Sequence, residues 1–149
     1  MEETVLVCED SIEAVLTAVY RAYEWKLMPQ QTRIQIGEDD LGLFSCYREI
    51  GTDQALAQKV MNTVRRRFGE GAWEDISYSL MAEAADKGTA VYHAIAAGLA
   101  GKIRGPLMQG LADPAIHRVF ELSRTVHRIS HRMLEFLRLR RRQGGICMP

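Results

Sequence analysis

The stretch LADPAIHRVFELSRTVHRISHRMLEFLRLRRR, residues 111–142, decides how the chain is read. Asp113 is a helix-capping residue, and Pro114 suits the first helical position, where its missing N–H has no partner to lose. About 28 residues follow with no further Pro and no Gly. Val119, Leu122, Val126, Ile129, Met133 and Phe136 recur at three- and four-residue intervals, which places them on one stripe of a helix. His117, Arg124, Arg128, His131 and Arg132 fall mostly on the other side. The spacing predicts one long helix with an apolar seam towards the protein and a cationic, histidine-bearing flank away from it.

Upstream of this helix, Gly98, Gly101, Gly105-Pro106 and Gly110 punctuate the chain. Before them, an alanine-rich segment from about Lys87 to Ala100 reads as a closely packed helix, and another helix spans about Ala72 to Glu83. A Gly69-Glu70-Gly71 break separates the latter from a helix that Thr52 would cap and that ends near Phe68. Leu56, Val60, Met61 and Val64 give that helix its inward face. The N-terminal third differs. Thr4-Val5-Leu6-Val7-Cys8 is a short apolar run suited to a buried strand, while Arg33-Ile34-Gln35-Ile36 alternates as a half-buried strand does. Cys46 to Ile50 supplies a third strand, after a loop at Gly37-Glu38-Asp39-Asp40. Between the first two, Glu13 three residues after Asp10 resembles a capping box, with a helix running to about Glu24. Its apolar face is Ile12, Val15, Leu16, Val19 and Tyr23. The order predicts a single α+β domain over residues 1–149. A small three-stranded sheet near the N-terminus packs on a mainly helical cluster that ends in the long basic helix.

The chain has 149 residues, enough to bury roughly 70% of its unfolded surface as one domain. No apolar run approaches the roughly 18–20 residues that cross a bilayer, and the acidic start Met1-Glu2-Glu3-Thr4 does not resemble a secretory signal. A cytoplasmic location without membrane association is expected. Three cysteines, Cys8, Cys46 and Cys147, are too far apart for a zinc motif. Cys8 and Cys46 are read as small apolar residues in a reducing compartment, and Cys147 as exposed.

A net charge of zero hides an asymmetry. Residues 1–60 carry 11 acids and 5 bases, whereas residues 61–149 carry 8 acids and 14 bases. Eight Arg lie between His117 and Arg142, against only Glu121 and Glu135. Such a split suits a nucleic-acid face, and equally an internal electrostatic match or a solvated helix. The cluster Arg138, Arg140, Arg141 and Arg142 has two readings of equal standing. Cations favour a helix C-terminus, and Arg also binds phosphate oxygens bidentately. Arg65-Arg66-Arg67 is better read as a solvated helix end. Glu121 and Glu135 are expected to pair with Arg a turn away.

His127 and His131 share a helical face at the spacing of two metal ligands, but Arg128 stands where zinc proteases carry Glu, and Arg124 and Arg132 repel a dication. No metal site and no cofactor are expected. Cys8, beside Glu9 and Asp10 at a strand-to-helix junction, has two carboxylates opposing any lowered thiol pKa, so Asp10 or Ser11 is read as a plain helix cap. No phosphate loop, dinucleotide fingerprint or radical-SAM cysteine cluster is present in the sequence.

Two long segments carry a resemblance. Cys8-Glu9-Asp10-Ser11-Ile12-Glu13-Ala14-Val15-Leu16-Thr17-Ala18-Val19-Tyr20 is similar to the opening of the bacterial domain-of-unknown-function family DUF4130, also labelled probable DNA metabolism protein. Leu111-Ala112-Asp113-Pro114 and Val119-Phe120-Glu121-Leu122-Ser123-Arg124, continuing to His131-Arg132 and Phe136-Leu137-Arg138, resemble its second signature, and Tyr47 to Asp53 fits between. The resemblance implies an accessory role beside a DNA-repair radical-SAM protein, in a family whose members also join this domain to a uracil-DNA-glycosylase-like one. It supplies no catalytic residues. Family members usually continue past the long helix into further strands, and Gly144-Gly145-Ile146-Cys147-Met148-Pro149 reads as a turn into a strand that has barely begun. A truncated chain is therefore expected.

The function expected from these readings is an auxiliary DNA-metabolism and DNA-repair module. Arg124, Arg128, Arg132 and Arg138 would contact phosphate with His131 beside them, and Arg140, Arg141 and Arg142 would extend the footprint. Two alternatives stand: a protein-interaction subunit docking on the radical-SAM partner without touching DNA, and an enzyme whose site joins Cys8-Glu9-Asp10 to the terminal helix.

Overall fold

A computed structural model describes residues 3–37, 45–100 and 113–144, with residues 45 and 130–144 described by their backbone alone. Strand β1 (Glu3–Cys8) is central in a three-stranded sheet of order β2-β1-β3, with β2 at Thr32–Ile36 and β3 at Ser45–Glu49. Both pairings are parallel, an orientation that sequence alternation does not reveal. Val5, Leu6, Val7 and Cys8 are all buried, as the unbroken apolar run of a central parallel strand requires. Leu6 lies opposite Ile34 and Arg48, and Val5 opposite Arg33 and Tyr47, so the two faces differ in chemistry. Ile34 belongs to the same apolar core as Leu6 and Cys8.

Helix α1 (Ile12–Glu24) returns the chain from β1 to β2, which is what makes a parallel pair possible. Its cap is Ser11, whose Oγ accepts from the Ala14 N–H at 3.0 Å. The expected box between Asp10 and Glu13 does not form, because the Asp10 carboxylate points to Lys87 instead. Ala14, Val15, Leu16, Ala18, Val19 and Ala22 are its buried apolar residues. Helix α2 (Gln54–Phe68) starts one residue later than Thr52 would set. Asp53 is the cap, accepting from the N–H groups of Ala55 and Leu56. Buried Thr17 fastens this start to α1: its hydroxyl accepts from Asp53 N–H at 3.1 Å and donates to Glu13 O at 2.7 Å.

Gly69, at φ 93°, turns α2 directly into α3 (Glu70–Ser79). That left-handed backbone favours Gly, and it lets α3 begin before the expected Ala72. The helix also stops short of Glu83, in a turn at Leu80 and Met81. Helix α4 (Lys87–Leu99) lies along β2. The Thr89 hydroxyl accepts from Ile34 N–H and donates to Ile34 O, both at 3.1 Å, and His93 Nε2 lies 3.2 Å from Thr32 O. The outer backbone edge of β2 is thus covered by side chains, which blocks strand addition there. Cys46, read as a small apolar residue, is exposed on β3 instead.

Helix α5 (Pro114–Gly144) packs on α3 and α4. Ile116, Val119, Phe120 and Leu122 are buried, and the first three belong to the core that continues to the sheet. Fold and sequence agree on the class: α+β, with a small N-terminal sheet and, among the described residues, five α-helices. Among the described residues, no helix is long and apolar enough to cross a membrane.

Candidate functional site

The predicted start of α5 forms as expected, with Asp113 Oδ1 accepting from Ala115 N–H at 2.9 Å and Pro114 as the first helical residue. One turn on, Arg118 reaches back to the loop before α4. Its Nε lies 2.9 Å from Asp86 Oδ2 and its Nη2 3.1 Å from Asp86 Oδ1, a two-pronged pair. The hydrogen bonds from Arg118 hold the Asp86 carboxyl below the usual carboxylate range, against some opposition from burial. Glu121 closes the group, 3.5 Å from Arg118 and 3.0 Å from His117 Nε2. The expected pairing of Glu121 with an Arg a turn away is met by Arg118.

Lys87, adjacent to Asp86, faces the opposite way. Its ammonium is buried and donates to Asp10 Oδ1 at 2.6 Å and to Ala82 O at 2.9 Å. The dipeptide Asp86-Lys87 therefore ties the strand-to-helix junction after β1 to the first turns of α5. Cys8 sits behind Asp10, where burial above all, then the Asp10 charge, pushes its thiol up to about 12, although Lys87 acts the other way. At neutral pH it is a protonated thiol, unsuited to nucleophilic attack.

The central part of α5 differs from its first turns. Arg124 and Arg128 are exposed, and neither is in an ion pair among the described residues. They lie four residues apart on one face, about 6 Å along the helix axis. Beside them, exposed His127 stacks against half-buried Tyr78 of α3, with ring centroids 4.1 Å apart and an interplanar angle of 40°. One turn back, buried Ser123 donates its hydroxyl to Asp75 Oδ1 at 3.1 Å. Burial raises the Asp75 pKa, while the Ser123 hydrogen bond and the charges of His127 and Arg124 pull it down.

Sequence reasoning did not pick out Asp75, Tyr78, Asp86 or Lys87. Asp75 and Tyr78 are three apart on a helix, which places them on one face, but nothing local says that this face meets α5. His131, Arg132, Arg138, Arg140, Arg141 and Arg142 lie on the α5 backbone with side chains outside the described residues, as do Met133, Glu135 and Phe136. Cys147 and the expected strand start at 144–149 also fall outside the described residues, apart from Gly144 at the helix end.

Two further sequence readings meet the structure here. Ile129, placed on the inward seam, is 55% exposed. The seam is buried through Leu122, half-buried at Val126 and open at Ile129, the last of its described side chains. Arg65, Arg66 and Arg67 are exposed, as a solvated helix end should be, with Arg65 3.3 Å from Glu70 and 5.6 Å over the Trp73 ring. No group of three His, Cys, Asp or Glu is arranged to hold a metal among the described residues. No family model matches the chain, and comparison with curated proteins and with solved structures finds no similar protein.

Proposed function

We propose that the chain is an auxiliary DNA-metabolism and DNA-repair module that binds nucleic acid through the basic flank of α5 and acts beside a radical-SAM protein. The partner comes from the resemblance of Cys8–Tyr20 and Leu111–Arg138. The supporting observation for the binding face is the freedom of Arg124 and Arg128. Both guanidinium groups are exposed at one-turn spacing, whereas Arg118 on the same helix is neutralised by Asp86. In this reading Arg132 and Arg138 join the same phosphate contacts with His131 beside them, and Arg140, Arg141 and Arg142 extend the footprint around the end of the helix. A solvated helix face is the competing account, and it differs in one measurable respect. Phosphate contacts release counterions, so affinity for duplex DNA falls by about 0.9 log unit per log unit of salt for each phosphate neutralised. Fluorescence anisotropy with labelled DNA at two salt concentrations reads this slope. Arg124→Ala with Arg128→Ala lowers the slope by about two phosphates' worth if the stripe binds. Undetectable or salt-independent binding, or a double variant indistinguishable from the parent, rejects it.

Ile129 favours a second reading, in which α5 docks on a protein. An apolar stripe that leaves the body at Val126 and continues in sequence through Met133 and Phe136 suits a groove on a partner, with the Arg flank meeting acidic surface. Co-purification with the radical-SAM partner that Ile129→Glu abolishes, with no retention on DNA, selects this alternative.

A further inference from the structure

The nucleic-acid reading leaves open which form of strand α5 takes, and the ring pair beside the arginines bears on it. His127 follows Arg124 by three residues and precedes Arg128 by one, so its imidazole stands at the border between the basic flank and α3. One side of the ring is held against Tyr78 at 4.1 Å, and the residue as a whole is exposed. Tyr78 is itself fixed, on the helix that Ser123 and Asp75 fasten to α5. The result is a braced aromatic surface beside the exposed Arg124 and Arg128, which are in no ion pair among the described residues. From this we propose that His127, backed by Tyr78, is a stacking platform for one unpaired base, and that the strand bound along α5 is single-stranded.

This inference rests on the nucleic-acid reading of α5 and adds a strand preference to it. The physical case is a matter of what each form of nucleic acid presents. A duplex shows phosphates to a basic helix but keeps its base faces stacked inside, so His127 would gain nothing from it. A single strand offers base faces as well, and stacking on an aromatic side chain tolerates any sequence. Arg124 and Arg128 are placed to take the phosphates on either side of a base seated on His127, and a guanidinium can also lie over a ring. Asp75 is an acidic group near this spot, within electrostatic reach of His127 and Arg124, and one of its carboxylate oxygens is engaged by the Ser123 hydroxyl of α5. The plain structural account is that Tyr78 and His127 merely clamp α3 to α5. A clamp predicts a change in stability when His127 is truncated, with no dependence on the form of nucleic acid.

The test uses the full chain and anisotropy with a labelled oligo-dT and a duplex of equal length, comparing the parent, His127→Ala, His127→Phe and Arg124→Ala. The expected result is tighter binding of the single strand. His127→Ala then weakens it by roughly tenfold or more, the loss of one base–aromatic stack. His127→Phe retains the affinity, and the salt slope of His127→Ala matches that of the parent because no phosphate contact is removed. His127 is exposed, so its variants stay folded, and thermal melts of each verify it. Single-strand affinity unchanged in His127→Ala but reduced in Arg124→Ala overturns the platform and leaves the nucleic-acid reading standing. Preference for the duplex overturns the platform in the same way. Binding of neither nucleic acid overturns both.

Discussion

Lys87 is the clearest place to test how the junction after β1 is joined to the start of α4. Its side chain is 6% exposed, while that of its partner Asp10 is 67% exposed. The ammonium has two oxygen partners, Asp10 Oδ1 at 2.6 Å and Ala82 O at 2.9 Å. Asp10→Asn keeps an acceptor of nearly the same shape and removes only the charge. A fully buried pair loses about 3–5 kcal/mol when one partner goes, and a fully exposed one about 0.2–1 kcal/mol. With one end in water and the other inside, the cost should fall between these limits, at about 1–2 kcal/mol. Lys87→Met fills similar space without charge but leaves Ala82 O without this donor, at about 1–3 kcal/mol. Once Lys87 is gone, Asp10 is a solvated carboxylate with nothing to neutralise. Asp10→Asn in that background should therefore cost close to zero. Urea unfolding of the four proteins, with the slope unchanged between them, reads the coupling directly. Additive effects within about 0.5 kcal/mol would mean that the ammonium is solvated and the pair contributes nothing.

Two other outcomes follow from the packing of α5 and α4. Asp75 is raised by burial above its ordinary value, so its protonated form is favoured by folding. The stability this gives is present below the unfolded pKa and is lost as pH rises through the folded one. At neutral pH the charge works against the fold. Asp75→Asn, which preserves the acceptor for Ser123, should raise the melting temperature at pH 7 and flatten its decline between acid and neutral pH; a lowered midpoint at pH 7 would contradict this. Gly98→Ala places a Cβ 2.4 Å and 2.6 Å from the Phe68 ring, well inside the roughly 3.5–4.0 Å of carbon contact. Overpacking costs about 1–3 kcal/mol and helix propensity returns about 1, so a net loss of about 1 kcal/mol is expected. Phe68→Leu in the same chain should recover it, and a Gly98→Ala protein as stable as the parent in thermal melts would disprove the close approach.

What the sequence disclosed was local. The Asp113-Pro114 cap and the apolar run of β1 each involve residues within a turn or two and appear where expected. Val15, Leu16 and Val19 of the expected α1 face are buried, but Tyr23, expected on that face, is 44% exposed. What it withheld was long-range. Lys87 and Asp10 are 77 residues apart and Ser123 and Asp75 are 48 apart, so no periodicity links them. Cys46 alternates as a strand residue should, but alternation does not tell whether anything covers an edge strand such as β3. Ile129 makes the same point on a helix: a three-four spacing establishes that a stripe exists, and only the fold shows where its cover ends. Asp10 and Ser11 are both good caps by residue type; Ser11 is the one that caps α1, and the Asp10 carboxylate accepts from the buried Lys87 ammonium.

The behaviour of α5 also shows why its charge had to be read residue by residue. Arg118 and Arg124 are the same residue type on one helix, six positions apart. Arg118 meets Asp86 because α4 begins beside that turn, whereas Arg124 and Arg128 have passed beyond any carboxylate close enough to pair with among the described residues. By His127, Arg128 and Ile129 three consecutive side chains are exposed, and three consecutive residues reach around more than half of a helix. The body therefore releases α5 at about this point. A helix held by Ile116, Val119, Phe120 and Leu122 but exposed at His127, Arg128 and Ile129 has separated anchoring from presentation over its described side chains. Substitutions in the first part should act on stability, and those at Arg124, His127, Arg128 and Ile129 on binding. That division holds whether the partner is a nucleic acid or a protein, because it follows from where the packing stops. It would fail if Arg124→Ala, His127→Ala or Ile129→Glu destabilised the chain as much as Val119→Ala does.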